Sequence, residues 1–177
     1  MLAIFKREFK SYFQNVIGWL FVAALLAVYG LYFYVYNLKN GYPYISYDLK
    51  GIGFIMMIAV PILTMRSLSD ERKTKTDQLM LTSPVSVGKI VAGKYFAMAA
   101  VYTIDIAIFA LSPLVLSIYG KAALSEAYVA LFGYWLYGLA CIAVGLFISS
   151  ISESVIISAI LTFAALFLSY MMQSITG

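Results

Sequence analysis

Five long apolar stretches constrain this chain more than any other feature of its sequence. They lie at about residues 16–36, 51–68, 95–117, 128–148 and 155–172. A helix needs about 20 predominantly apolar residues to cross the hydrocarbon core of a bilayer. Only 11% of the residues are charged, whereas soluble domains carry about 25%. The sequence therefore predicts an all-α integral membrane protein, a polytopic helical bundle whose single transmembrane domain covers residues 1–177.

Residues 1–14 precede the first span and have a different pattern. Apolar side chains recur at spacings of three and four, from Leu2 through Phe5 and Phe9. Lys6 and Lys10 fall on another face. An aromatic stripe beside basic residues is typical of a helix that lies in the membrane interface. The alternative is that this segment only begins the first spanning helix.

The distribution of Lys and Arg predicts the orientation. Three basic residues lie in residues 1–14 and six in residues 66–94, which places nine on one side of the membrane. The other side has Lys39, Lys50 and Lys121. Because cytoplasmic segments carry the excess of basic residues, we expect a cytoplasmic N-terminus in a cell (inner or plasma) membrane. Five crossings would leave the C-terminus outside, and a sixth span is expected beyond it.

Residues 69–86 form the longest polar stretch between two spans. Ser69 can cap a helix whose first turn carries Asp70 and Glu71, where the helix dipole favours negative charge. Pro84 would end that helix, since a residue before proline is pushed out of the helical region. The pattern predicts a short cytoplasmic docking helix and turn. The alternative is a solvated basic loop that only obeys the positive-inside rule.

This stretch resembles the signature region of ABC-2-type transporter permeases. The resemblance is carried by Glu71, Arg72, Thr76, Leu79, Leu81, Thr82, Ser83, Pro84, Val85, Ser86, Gly93 and Lys94. Thr-Asp-Gln-Leu at residues 76–79 is most similar to the branch that includes gliding-motility-type permeases. Many members have Gly before that Thr, where this chain has Lys75. The family usually has six spans.

The resemblance implies a function that the residues alone do not give. It implies the membrane-spanning permease subunit of an ATP-driven exporter, paired with a second permease half as a homo- or heterodimer. Two copies of an ATP-binding subunit would supply the ATPase activity, so the chain itself is not expected to be an enzyme. Glu71, Arg72, Thr76 and Pro84 would then contact that subunit. The alternatives are a non-transporting membrane scaffold that holds a cytoplasmic complex and an intramembrane enzyme.

One motif argues for nucleotide binding and is rejected. Residues 88–94 match the G-x-x-x-x-G-K pattern of a phosphate-binding loop, but Tyr95 stands where Ser or Thr should hold magnesium. The segment also runs into an apolar span, so we interpret Gly93 as a helix-packing position and Lys94 as an interfacial anchor.

The chain has no His and one Cys, Cys141. We therefore predict no catalytic residue, cofactor, metal or nucleic-acid partner, and membrane lipids as the surroundings.

Asp105 is the one charge well inside a predicted span. A carboxylate at that depth costs several kcal/mol unless it is paired or protonated. It either lines the path and locks a helix interface, or it makes a local hydrogen bond to a neighbouring Tyr or Thr. In the fourth span, Cys141, Gly145 and Ser149 form a small-xxx-small ladder that favours close helix packing.

Overall fold

The computed structural model describes residues 2–65, 67–69, 86–119 and 123–176, and these residues form helices and no strand. The helices are α1 (Leu2–Gln14), α2 (Val16–Tyr32), α3 (Ser46–Thr64), α4 (Val87–Phe109), α5 (Ser112–Tyr119), α6 (Leu124–Ile151) and α7 (Val155–Thr176), and a π-helical segment (Phe33–Lys39) continues α2. The all-α prediction is confirmed.

Within the described part of the chain, five helical stretches are long and apolar enough to cross a membrane. They are Val16–Lys39, Ser46–Thr64, Val87–Ile118, Leu124–Ile151 and Val155–Met172. The polytopic helical fold is therefore confirmed.

Several of these helices begin earlier than hydropathy predicted. The second span begins at Ser46 and not at about residue 51, and it ends at Thr64 and not at 68. α4, which contains the third span, begins at Val87, well before the apolar stretch predicted from about residue 95. Hydropathy detects only the apolar middle of a helix, whereas the backbone hydrogen bonds continue through polar end turns such as Ser46-Tyr47-Asp48.

The third span is interrupted late in its course. α4 ends at Phe109 and α5 begins at Ser112, whose hydroxyl donates a 2.7 Å hydrogen bond to the Phe109 carbonyl. Pro113 lies in the first turn of α5, where its missing N–H costs no intrahelical hydrogen bond. The proline therefore permits a break and a restart within one membrane-length stretch.

α3 lies at the centre of the bundle, in contact with α2, α6 and α7. Small residues on α6 allow close packing on its neighbours. Gly138 faces the ring of Tyr102, and a Cβ at Gly145 would lie 2.5 Å from Thr64 Oγ1. The Tyr102 hydroxyl donates a 2.8 Å hydrogen bond to the Tyr134 carbonyl, which fixes the ring against α6. Gly138 and Gly145 therefore pack against other helices of the same chain.

α1 is a separate helix that folds back on the first span. Asn15 is extended (φ −95°, ψ 155°), so the helix does not continue into α2. The Tyr12 carbonyl lies over Gly18, where a Cβ would overlap it. The indole N–H of Trp19 donates a 2.8 Å hydrogen bond to the Phe13 carbonyl. These contacts hold α1 against α2 and α4.

The close contact at Gly138 generates a stability prediction. Gly138→Ala would place a methyl group against a Tyr102 ring that cannot withdraw without losing its hydrogen bond. We expect it to lower the free energy of unfolding by about 1–3 kcal/mol, measured by thermal unfolding in detergent. Gly133→Ala is the matched control, because a Cβ at Gly133 meets no atom within 4 Å. Equal stability of the two variants would contradict this packing.

Candidate functional site at the connection between the second and third spans

The residues predicted to dock the partner lie outside the described part of the chain. Glu71, Arg72, Thr76 and Pro84 all belong to residues 70–85, which the structure does not describe. Both flanks of that segment are described. We call residues 65–86 the α3–α4 connection and consider how its two ends are held.

The entry to the connection is held by a serine of another span. The backbone N–H groups of Leu68 and Ser69 each donate a 3.2 Å hydrogen bond to Ser149 Oγ on α6. Ser69 is fully buried, and its hydroxyl donates to the Met65 carbonyl one turn earlier. Its hydroxyl therefore contacts the end of α3. One α6 side chain satisfies two backbone donors that would otherwise be buried without acceptors.

The exit is formed by Ser86, which precedes α4. Its backbone is extended (φ −63°, ψ 139°), and its carbonyl accepts a 2.9 Å hydrogen bond from the Lys89 N–H. The side chain makes no capping hydrogen bond. Ser86 thus occupies the N-cap position of α4 through its backbone alone.

Lys94 is the buried charge that joins this region together. Its side chain is only 2% exposed, and its ammonium donates a 2.8 Å hydrogen bond to the Ser67 carbonyl. The same ammonium lies 3.6 Å from the Glu8 carboxylate on α1. A buried ammonium needs such partners, because leaving water otherwise costs several kcal/mol. Lys94 therefore connects α4, α1 and the entry to the α3–α4 connection.

Gly93 makes room for this arrangement. A Cβ at Gly93 would lie 2.9 Å from the Ile4 side chain and 3.6 Å from the Phe5 backbone nitrogen. The start of α4 therefore contacts α1 closely enough for Glu8 to reach Lys94. The sequence predicted Gly93 to be a packing position and Lys94 to be an interfacial anchor. The structure instead surrounds the ammonium with protein.

Asp105 lies deep in the bundle and is fully buried. Among the described residues, neither of its carboxylate oxygens has a hydrogen-bond partner. The nearby Thr103 hydroxyl accepts from the Trp135 indole and donates to the Ala99 carbonyl. The predicted local hydrogen bond to Tyr or Thr is therefore not formed. A buried polar group without a partner is rare and calls for a functional or conformational explanation.

A second buried aspartate, which the sequence analysis missed, lies at the far end of α2. Asp48 in the first turn of α3 accepts a hydrogen bond from Asn37 in the π-helical segment, and both side chains are buried. Tyr29 and Ser112 form another buried hydrogen bond between α2 and α5. The spans predicted from hydropathy left residues 37–50 between them. Hydropathy gave no signal for this cluster, because its polar residues lie at the ends of apolar spans.

Comparison with models of known protein families shows the family to which this chain belongs. Residues 31–177 match the model of the ABC-2 family transporter proteins. The chain belongs to the ABC-2 transporter family. No curated protein and no solved structure matches it.

Membership of the ABC-2 family identifies the chain as a membrane permease component of an ABC transporter. It is a multi-pass membrane protein. The family is the membrane component and not the ATPase itself, which implies association with an ABC ATP-binding subunit. Within the described residues, no group of three or more Cys, Asp or Glu is placed to hold a metal ion.

The buried lysine of this ABC-2 protein generates the second prediction. Lys94→Met keeps the length of the side chain but leaves the buried Ser67 carbonyl without its donor and Glu8 with Arg7 alone. We expect unfolding free energy to fall by about 1.5–3 kcal/mol, measured by denaturant unfolding in detergent. Lys89→Met is the control, since Lys89 is exposed on the same helix and should change stability by under about 0.5 kcal/mol. If both variants unfold alike, Lys94 does not hold the connection.

The two buried aspartates generate the third prediction, because replacement by asparagine should lower stability at one position and not at the other. Asp48→Asn removes a carboxylate that accepts a hydrogen bond from Asn37 and should cost about 1 kcal/mol. Asp105→Asn removes a charge that has no partner in the described chain, so stability should stay the same or rise. Thermal unfolding in detergent compares the pair. A larger loss at Asp105 than at Asp48 would reveal a partner for Asp105.

Proposed function

We propose that this chain is the permease subunit of an ABC exporter and that it couples ATP hydrolysis on a partner to substrate movement. The observation that supports coupling is the way the entry to the α3–α4 connection is held. Ser149 on α6 and Lys94 on α4 both bind backbone atoms of residues 67–69. A displacement of this backbone has to move or break those hydrogen bonds. Ser149 and Lys94 lie on two different spanning helices, so the displacement would act on both helices.

The proposed docking element is the undescribed middle of the connection. Glu71, Arg72, Thr76 and Pro84 would contact an ATP-binding subunit, and closure of that subunit on ATP would displace the connection. Interfaces of packed helices respond to such displacement by repacking and do not deform continuously. We therefore propose that α4 and α6 shift relative to α3. Asp105 on α4 would find its partner or its substrate during that shift.

The assembly we propose contains two ATP-binding subunits and a second permease half, either a copy of this chain or a homologue. Export and membership of the gliding-motility-type branch remain part of this proposal. The alternative function is a membrane scaffold that holds a cytoplasmic complex without transport. Substrate-dependent stimulation of ATP hydrolysis by the assembled complex would distinguish the transporter from the scaffold.

The fourth prediction tests the docking element. Glu71→Lys and Arg72→Glu should weaken binding of the ATP-binding subunit or uncouple its hydrolysis from transport, because a charge-assisted contact is worth about 1.5–3 kcal/mol. Pro84→Ala should leave binding intact and weaken coupling only. The assay is a pull-down combined with hydrolysis and transport in liposomes. Unchanged binding and coupling in both charge reversals would reject this segment as the docking element.

A matched pair on α6 tests transmission separately from docking. Ser149→Ala removes the acceptor of the Leu68 and Ser69 N–H groups and should reduce coupled transport while the partner still binds. Ser150→Ala is the control, since among the described residues the Ser150 hydroxyl bonds only the Phe147 carbonyl of its own helix. Equal transport by the two variants would show that Ser149 does not transmit the motion.

The orientation of the chain in the membrane can be tested separately. We propose that the N-terminus and the α3–α4 connection face the cytoplasm, because nine of the basic residues lie on that side. In a Cys141→Ala background, a cysteine at position 75 should not react with an impermeant maleimide added to intact cells. A cysteine at position 42 should react. The reverse pattern would overturn the orientation.

A further inference from the structure

α1 presents an exposed face that is strongly basic. Lys6, Arg7 and Lys10 are all exposed, and Lys10 follows Lys6 by four residues and Arg7 by three. We call these three residues the basic face. Within the described chain, Lys6 and Lys10 have no ion-pair partner. Glu8, the single acid of residues 2–14, is largely buried and directed at Lys94. The helix therefore separates its charges, with cations outside and its carboxylate inside.

One residue of the basic face also belongs to the buried network. The Arg7 guanidinium donates a 2.9 Å hydrogen bond to the same Glu8 oxygen that lies 3.6 Å from the Lys94 ammonium. Arg7 is 60% exposed, whereas Lys94 is 2% exposed. The Lys94 ammonium in turn binds the Ser67 carbonyl at 2.8 Å. A continuous chain of contacts thus runs from the outer surface of α1 to the entry of the α3–α4 connection.

We propose that anionic phospholipid headgroups bind the basic face and, through Arg7, Glu8 and Lys94, loosen the entry to the α3–α4 connection. Phosphate is a preferred bidentate partner of arginine and would compete with Glu8 for Arg7. Glu8, released by Arg7, would pair fully with Lys94. The ammonium would then be drawn away from the Ser67 carbonyl.

The aromatic side of α1 favours a membrane surface as the partner. The rings of Phe5 and Phe9 are 5.9 Å apart and those of Phe9 and Phe13 are 5.1 Å apart, with Trp19 edge-on to Phe13. These rings are half-buried, and Trp19 is exposed beside them. Aromatic side chains beside basic ones suit the boundary between headgroups and acyl chains. Anionic lipids complement the charge, at about fivefold in affinity per basic residue.

The inference depends on the proposed placement of α1 in the interface and not on ATP coupling, so it is tested without the ATP-binding subunit. The full chain is reconstituted in phosphatidylcholine vesicles with or without phosphatidylglycerol. Trp19 is the fluorescence donor in a Trp135→Phe background, which removes the other of the two tryptophans. The acceptor is a dansyl group on either lipid.

Wild-type protein should transfer energy preferentially to dansyl-phosphatidylglycerol. Arg7→Gln, Lys6→Gln or Lys10→Gln should each reduce that preference by about fivefold. Lys39→Gln is the control, because Lys39 is exposed at the far end of the first span. Equal transfer to both lipids in the wild type would overturn the assignment of the basic face.

A second measurement tests the buried chain of contacts. Ser67→Cys in a Cys141→Ala background is labelled with maleimide, since Ser67 is buried and its hydroxyl makes no hydrogen bond in the described chain. Phosphatidylglycerol should speed labelling by roughly tenfold, the ratio that corresponds to one weakened charge-assisted contact. In Glu8→Gln the lipid should still bind, as energy transfer reports, but should no longer change the labelling rate. An equal acceleration in Glu8→Gln, or none in the wild type, would overturn the link to the connection.

Discussion

The buried ammonium of Lys94 constrains the arrangement of every element around it. An ammonium removed from water has to find acceptors, and here they come from residues far apart in the chain, Ser67 and Glu8. To supply Glu8, α1 has to lie against α4, which requires glycine at position 93. To supply the Ser67 carbonyl, the chain leaving α3 has to turn toward α4. The position of the Lys94 ammonium thus depends on α1, on α4 and on the residues that follow α3. The packing of these three elements depends in turn on the ammonium.

The sequence predicted the spans well because hydropathy reports a property of each residue alone. Five membrane-length helices, the separate N-terminal helix and the packing role of Gly93 all follow from local patterns. The ends of the helices were predicted less well. Polar turns such as Ser46-Tyr47-Asp48 continue a helix without contributing hydropathy. A helix end predicted from hydropathy therefore lies too far inside the helix.

The connections between spans were beyond what the sequence could reveal. Nothing in the spacing of Glu8 and Lys94 indicates that they meet, because the pairing depends on how two helices pack. The same holds for Ser149 with residues 68 and 69, and for Asn37 with Asp48. Glu8 did carry a usable signal. A lone acid among basic and aromatic residues suggests a partner elsewhere in the fold.

The contact between α1 and α4 also fixes an order of events during biosynthesis. Glu8 leaves the ribosome long before Lys94, and at about 5–20 residues per second the delay is roughly 4–17 s. Throughout that interval α1 has no α4 to pack on, while Trp19 and Gly18 already allow it to fold back on α2. Glu8 therefore stays without Lys94 until the third span has been synthesised. The first helix to be synthesised thus completes its packing only after two spanning helices and the start of a third have followed it.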